Sequence, residues 1–551
     1  MHKLFIFIIA SLLFSAVRAQ LSAPLSFMTK SEPISAIITD YAYKDTIPSP
    51  SALVRLPNGK VAYMVKEKGV MAPFYIKAIE TGYWDTRYEA DTNYDTIFAD
   101  MHDMGANTAY VMLHWEDIET SDNHFDFSFP DAVAAAASRQ NLKVKWILFL
   151  HAQTNGVPSH HAETAWTFHL DDQDSCNYTM QWPKRNGEIY RTISELTSKG
   201  GIRPLHVYGH PEIFYRIRRM LYQLAVHYRN DSSVIGVQLG NEEGFSFLDD
   251  SDYNPITAAL YEEWKLKTNK TDYAQFKKEA INWWWKQFTS AYHEGDPYKI
   301  LSFNLDAAQA EGEDMQRIEV SGTSAATYGD GNLDAIGTML YKGWGYKALL
   351  GLDKRYNEGS YNYSLPILIP SEIGIGNFNT PHDFRSFVLH SLERGAQGFG
   401  VYCYGEVRKE LPDSINARKD MVELFANIRA NEELVYAGLP GPGYMQCHTE
   451  NKAFHVSHLN VDDKETLAMV FNFTHQPEGV DTYNNDIAFP LYFKASQSGS
   501  YIISIYKQGK LLSTEKRNAK ESEVIHLTVP MQEDDILFIR MTKEPSTVPV
   551  L

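Results

Sequence analysis

"VIGVQLGNEEGF", residues 234–245, opens as a buried strand, with β-branched Val234, Ile235 and Val237, and then turns abruptly polar at Asn241, Glu242 and Glu243. A short, continuous apolar run is what a strand covered on both faces looks like, as in a parallel sheet flanked by helices. In a closed parallel barrel the C-terminal ends of the strands form the functional face. Polar residues that terminate such a run are therefore delivered to the place where chemistry is done.

The rest of the chain supplies companions for this strand. Apolar runs recur as "FYIKAI" (74–79), "TAYVML" (108–113), "KVKWILFL" (143–150), "KILSFN" (299–304), "LDAIGTMLY" (333–341), "LPILIP" (365–370) and "GFGVYCY" (398–404). Between most of them lie helix-like amphipathic stretches, at 95–104, 131–139, 211–229, 272–294 and 382–394. Strand candidates separated by connections long enough for crossover helices predict an α/β fold, a (β/α)8 TIM barrel over residues 70–436. A doubly wound open sheet would alternate in the same way, but it usually carries a Gly-rich turn after its first strand, and none follows "FYIKAI". Residues 20–69 read as an N-terminal lead-in. After the Gly- and Pro-rich joint "AGLPGPGYM" (437–445), read as a linker, the pattern changes to strand-like alternation in "TLAMVFNFT", "FPLYFKA", "YIISIYKQGKLL" and "DDILFIRM". Residues 446–551 are thus expected to form a small antiparallel β-sandwich, with "KQGK" at 507–510 as a hairpin turn.

Composition narrows the class of function. The chain has 551 residues, 44% hydrophobic and 22% charged, enough for a large core and more than one domain. Its net charge of −18 shows none of the basic footprint that phosphate binding requires, which argues against a nucleic-acid partner. Aromatic residues make up 13%, a surplus that serves either a large core or stacking platforms for sugar rings. The N-terminal "MHKLFIFIIASLLFSAVRAQ" reads as a secretory signal, residues 1–19, cut after Ala19 and too short to span a bilayer. The mature chain is expected to be exported, to the periplasm or beyond, with no membrane span. Cys176, Cys403 and Cys447 allow at most one disulfide and no cysteine metal cluster. His206 and His210 are four apart but are followed by Pro211 and sit in no HExxH frame, and "IGIGNF" (373–378) is Gly-rich without a phosphate-binding Lys. No metal and no cofactor is expected.

A second strand ends as the first does: "LPILIPSEIGIG" runs apolar to Pro370 and then presents Ser371 and Glu372. Two carboxylates facing each other across a barrel mouth are what glycosidic cleavage needs, one protonating the leaving oxygen while the other attacks or stabilises the anomeric carbon. The competing reading has each Glu capping the following helix or pairing with a surface Lys. Tyr341 and Trp344 close the sixth strand and read either as substrate contacts, with Tyr341 also able to orient Glu372, or as ordinary strand-end packing. His114 and Trp115 close the second strand and are read the same way, whereas Glu116 and Glu119 suit structural hydrogen bonds. The stretch 151–205, with Trp166 and Trp182, is long enough to form a lid.

These segments resemble a known group. "HYRNDSSVIGVQLGNEEG" is similar to the Asn-Glu segment of β-galactosidase-type glycoside hydrolases of families 35 and 42, in the large clan A with barrel-borne glutamates. "HWEDIETSDNHFDFSFPDAVAAAASRQNLKVKWILFL", "LPILIPSEIG" and "RGAQGFGVYCYG" resemble the same families' second-to-third, seventh and eighth strand blocks, so the likeness spans roughly 70–405. The resemblance implies Glu242 as general acid/base, Asn241 as partner of the sugar hydroxyl next to the reacting carbon, and Glu372 as nucleophile of a retaining double displacement on an oligo- or polysaccharide. Two features depart from the families: the third strand ends in "HAQTNG" rather than an Asn-Ala-Glu-like segment, and three cysteines cannot build the four-cysteine zinc cluster of many family 42 enzymes. Two alternatives stand beside a β-galactosidase-like enzyme. One is a non-catalytic carbohydrate-binding protein, which needs neither glutamate; the other is a clan member acting on another β-glycan, such as an endo-glucanase.

Overall fold

The computed structural model describes residues 36–81, 93–121, 123–149, 209, 211–240, 255–305, 333–342, 367–408, 414–441, 443, 445–449, 454–461, 465–472, 487–531 and 535–545. Asn241, Glu242, Trp344, the leader 1–19 and the stretch 151–205 lie outside the described residues.

The chain begins with an antiparallel three-stranded sheet, β1 (Ser51–Arg55), β2 (Val61–Glu67) and β3 (Val70–Pro73). The barrel follows. Its strands are β4 (Ile76–Thr81), β5 (Thr108–His114), β6 (Lys143–Phe149), β7 (Val234–Leu239), β8 (Ile300–Leu305), β9 (Ala335–Leu340), a split stave of β10 (Ile367–Leu368) and β11 (Glu372–Gly374), and β12 (Gly398–Tyr402). Every neighbour pairing is parallel, and β8 pairs with β9 on one side and β7 on the other, which closes the sheet. This is a (β/α)8 TIM barrel, and the apolar runs of the sequence supply its staves.

The helices on its outside are α1 (Tyr94–Asp103), α2 (Ser128–Arg139), α3 (Pro211–Tyr228), α4 (Pro255–Thr268), α5 (Tyr273–Gly295) and α6 (Pro381–Glu393), all but α4 falling on the stretches the periodicity foretold. Then come α7 (Ser414–Ala430) and α8 (Glu432–Ala437). Local chemistry explains where they start. Thr380 accepts the Asp383 amide at 3.1 Å and Pro381 occupies the first turn of α6, where a missing N–H costs nothing. Asn93 and Asp272 cap α1 and α5 in the same manner.

Strand side chains alternate between two cores. Ile79, Val111, Trp146 and Leu148 face the helices, while Ile76, Ala78, Tyr110, Ile147, Ile235 and Ile300 fill the barrel. The N-terminal sheet belongs to that inner core through Leu53, Val61, Tyr63 and Val65, and Tyr63 donates to the Ile235 carbonyl at 2.5 Å. It stoppers the N-terminal mouth, leaving the opposite end for function. Much of the aromatic surplus packs as core: Trp146, Trp264, Trp284 and Trp285 are among the largest fully buried side chains.

The seventh stave breaks at Pro370, which has no amide proton to give the ladder. The sequence places Glu372 just past a strand running to 370, and the structure gives it a short strand of its own, in register with Met339. Gly337 makes room for the break, because a Cβ there would collide with Ser371 Oγ and the Ile369 carbonyl oxygen.

Antiparallel sheets follow at the C-terminus. One has the order β13 (Leu439–Pro440), β15 (Phe454–Asn460), β16 (Glu465–Asn472), β21 (Ile536–Lys543), β18 (Gly499–Lys507) and β19 (Lys510–Ala519). The other consists of β14 (Met445–His448), β17 (Ile487–Ala495) and β20 (Val524–Met531). Val470, Ile503 and Ile539 of the larger sheet meet Met445, Phe493 and Val529 of the smaller in one cluster. The other face of the larger sheet, with Leu467, Met469 and Phe538, shares the main core with Phe425, Ile428 and Leu434 of α7 and α8. The hairpin at 507–510 turns through Gln508 and Gly509, both at positive φ, as a type I′ turn requires. Residues 437–445, read from the sequence as a linker, include the paired strand β13.

Candidate active site

The described part of the candidate site is built on Glu372, at the C-terminal end of the split stave. Its side chain is buried, and each carboxylate oxygen has one named donor: Asn304 Nδ2 gives a 2.8 Å bond to Oε1, and Tyr341 Oη a 2.8 Å bond to Oε2. Asn304 is the penultimate residue of β8 and Tyr341 follows β9, so neighbouring strand ends converge on one group. Burial raises the Glu372 carboxyl from its ordinary range to about 7, against the pull of these two hydrogen bonds, which favour the ionised form. Burial and the nearby charges of Glu372 and Glu80 push the Tyr341 phenol well above its usual value, so it is a neutral donor across the working range.

Aromatic rings pack around the Tyr341 donor. Phe378, Tyr341 and Tyr402 form a triad with centroid separations of 5.1 Å (Phe378–Tyr402), 5.8 Å (Tyr341–Phe378) and 6.1 Å (Tyr341–Tyr402). Phe378 is 38% exposed, an apolar face offered to solvent beside Tyr341. Beneath them the barrel interior is charged. Glu80 and Lys145 are both buried, and Lys145 Nζ lies 4.5 Å from the centre of the Tyr110 ring. Burial lowers the Lys145 ammonium to about 7, with Glu80 holding it up.

The other residues singled out from the sequence fall in several places. His114 is the buried last residue of β5, and its amide donates to Asp117 Oδ2 at 2.7 Å. Trp115 is buried in the core between strands and helices, with its indole N–H donated to Glu119 Oε2 at 2.7 Å. Glu119 has the structural role its position suggested: it also pairs with Arg219 and accepts the Asn123 amide at 2.9 Å. β7 delivers the chain to Gly240, whose amide donates to the Leu148 carbonyl at 2.7 Å, one residue before Asn241. Asn304 gives a weaker sequence signal than Asn241, a single polar residue inside an apolar run with Leu305 after it, and was not singled out. Tyr402 and Phe378 were missed as well, since one sits inside the eighth apolar run and the other in a Gly-rich loop.

Fold and site together define a (β/α)8 barrel with a buried, hydrogen-bonded glutamate at its C-terminal face. No protein-family model matches the chain, and no curated protein does. Among solved structures it is similar to the β-galactosidase of the psychrophilic Marinomonas ef1, at 14% identity over 65% of this chain and 60% of that one, with a TM-score of 0.48. It is similar too to the β-galactosidase of the Antarctic haloarchaeon Halorubrum lacusprofundi, at 12% identity over 64% of this chain and 58% of that one, TM-score 0.47. A GH30 endoxylanase from Clostridium papyrosolvens C71 aligns at 9% identity over 86% of this chain and 97% of that one, TM-score 0.44. The chain thus spans about three-fifths of the length of the two β-galactosidases.

Proposed function

We propose that this chain is an exported glycoside hydrolase that cleaves β-glycosidic bonds with retention, β-galactosidase-like, with Glu372 as nucleophile and Glu242 as general acid/base. The observation that carries the reading is the setting of Glu372: a strand-end carboxylate gripped by Asn304 and by Tyr341, whose ring packs with Phe378 and Tyr402. Two donors fix the carboxylate plane and leave its remaining lone pairs for an anomeric carbon. The Phe378 ring suits the apolar face of a sugar. The Asn241-Glu242 pair that ends β7 in sequence supplies the acid, by resemblance to the clan pattern. A carboxyl near 7 gains its charge across neutral pH, so the nucleophile is competent in the upper part of that window. Export follows from the signal-like residues 1–19.

Double displacement at one carbon restores configuration. Proton NMR of the first product formed from an aryl β-galactoside is expected to show the β-anomer. An α-anomer first product removes Glu372 from the nucleophile's role, and absence of turnover across a panel of aryl β-glycosides favours the carbohydrate-binding alternative.

A further inference from the structure

Far from the barrel mouth, the last turn of α6 meets the edge of the C-terminal sheets. His390 and Glu393 lie one helical turn apart, on one face of α6, and His455 comes from β15 to meet them. His390 Nδ1 is 2.5 Å from Glu393 Oε1, and His455 Nε2 is 2.6 Å from Glu393 Oε2. One ligand atom from each residue can be chosen so that all lie within 4.8 Å of one another. Arg394 Nη1 braces the group by donating to Glu393 Oε1 at 2.8 Å and to the His390 carbonyl at 2.7 Å.

We propose that His390, Glu393 and His455 form a zinc site that latches the barrel to the C-terminal sheets. Two imidazole nitrogens and a carboxylate are a zinc donor set, with water completing a tetrahedron. In the metal-free arrangement protons bridge the nitrogens and the carboxylate. A metal seated among them replaces those protons and sets the ligand atoms about 3.3 Å apart, as bond lengths of about 2.0–2.1 Å dictate, letting the hydrogen-bonded pairs out from 2.5 and 2.6 Å and drawing in any pair that stands nearer the 4.8 Å limit. Those movements are at most about 1.5 Å, within reach of side chains that are 16%, 15% and 34% exposed for His390, Glu393 and His455. The same exposure gives the ion an entry path. Arg394 then acts as the outer hydrogen bond that orients a ligating carboxylate. The ligands span two parts of the molecule, so the ion's work is to hold the joint. The proposal is independent of the chemistry assigned to Glu372.

The test is calorimetric titration of the full chain, stripped with chelator, with zinc chloride, alongside its melting temperature. One zinc per chain and a higher Tm are expected. Both should be lost in His455→Ala and Glu393→Gln, with affinity reduced about ten- to hundredfold in Arg394→Ala. Failure of the wild type to bind one equivalent, or undiminished binding in both ligand variants, overturns the site. Should the variants not fold, Co2+ added to the wild type decides: intense visible bands of a four-coordinate ion are expected, and the weak spectrum of a six-coordinate, water-ligated ion refutes the proposal.

Discussion

At the scale of single residues, Glu372 sets two opposing demands. Burial disfavours its charge while Tyr341 and Asn304 favour it, leaving the carboxyl at about 7. Tyr341→Phe removes one stabilising donor to a charged group, about 1.5–3 kcal/mol. It should lower kcat/KM roughly ten- to hundredfold and move the acid limb of the pH profile to higher pH, which a pH-rate series on an aryl glycoside reads directly. The same burial has a consequence for stability. The folded-state pKa is raised above the unfolded value of about 4.3, so this group adds no penalty below the unfolded value and destabilises progressively as pH rises through about 7. In Glu372→Gln the amide oxygen can accept from Asn304 while its N–H2 donates to the Tyr341 oxygen. This variant should therefore melt above the wild type, with a gap that widens from pH 5 to pH 8 in thermal scans. A constant or narrowing gap would mean that the carboxylate is not buried at cost.

At the scale of elements, the barrel was legible because each stave announces itself as a short apolar run, and the connecting helices by their 3.6-residue period. The strand-end logic placed Glu372 and Tyr341 where they meet. It did not extend to Asn304, because a single Asn after "LSF" is unremarkable until the neighbouring staves are in register. Trp115 illustrates the reverse: it stands at a strand end in the sequence, but the turn Trp115–Ile118 folds its indole into the core against Glu119. The cap formed by β1 to β3 was not legible because the short apolar runs in "SALVR" and "VAYMVKE" do not say which surface they cover. The C-terminal sheets carry a prediction of their own. Their strands β16 and β21 are buried on both faces, one against the smaller sheet and one against α7 and α8. A chain ending at Leu439 exposes the helical side of that joint and should lose solubility or thermal stability. Activity per folded molecule on a small aryl glycoside should persist, since among the described residues the donors to Glu372 come from the barrel. Loss of turnover by orders of magnitude in a folded, monomeric truncation would place a site residue in the C-terminal sheets.

At the scale of the whole molecule, labour is divided along the barrel axis. The N-terminal sheet stoppers one mouth, the C-terminal sheets brace the helical shell, and Glu372 stands at the other mouth. The net charge of −18 fits a neutral or cationic partner better than a phosphate backbone. The central claim is that Glu372 becomes covalently glycosylated during turnover. Mass spectrometry of the protein after reaction with a 2-fluoro glycoside bearing a dinitrophenyl leaving group tests it, because such reagents form the intermediate and release it slowly. One sugar per chain, mapped to the peptide carrying Glu372, absent in Glu372→Gln and still formed in Glu242→Gln, is the predicted result. A label on another residue, or equal labelling of Glu372→Gln and wild type, would contradict it.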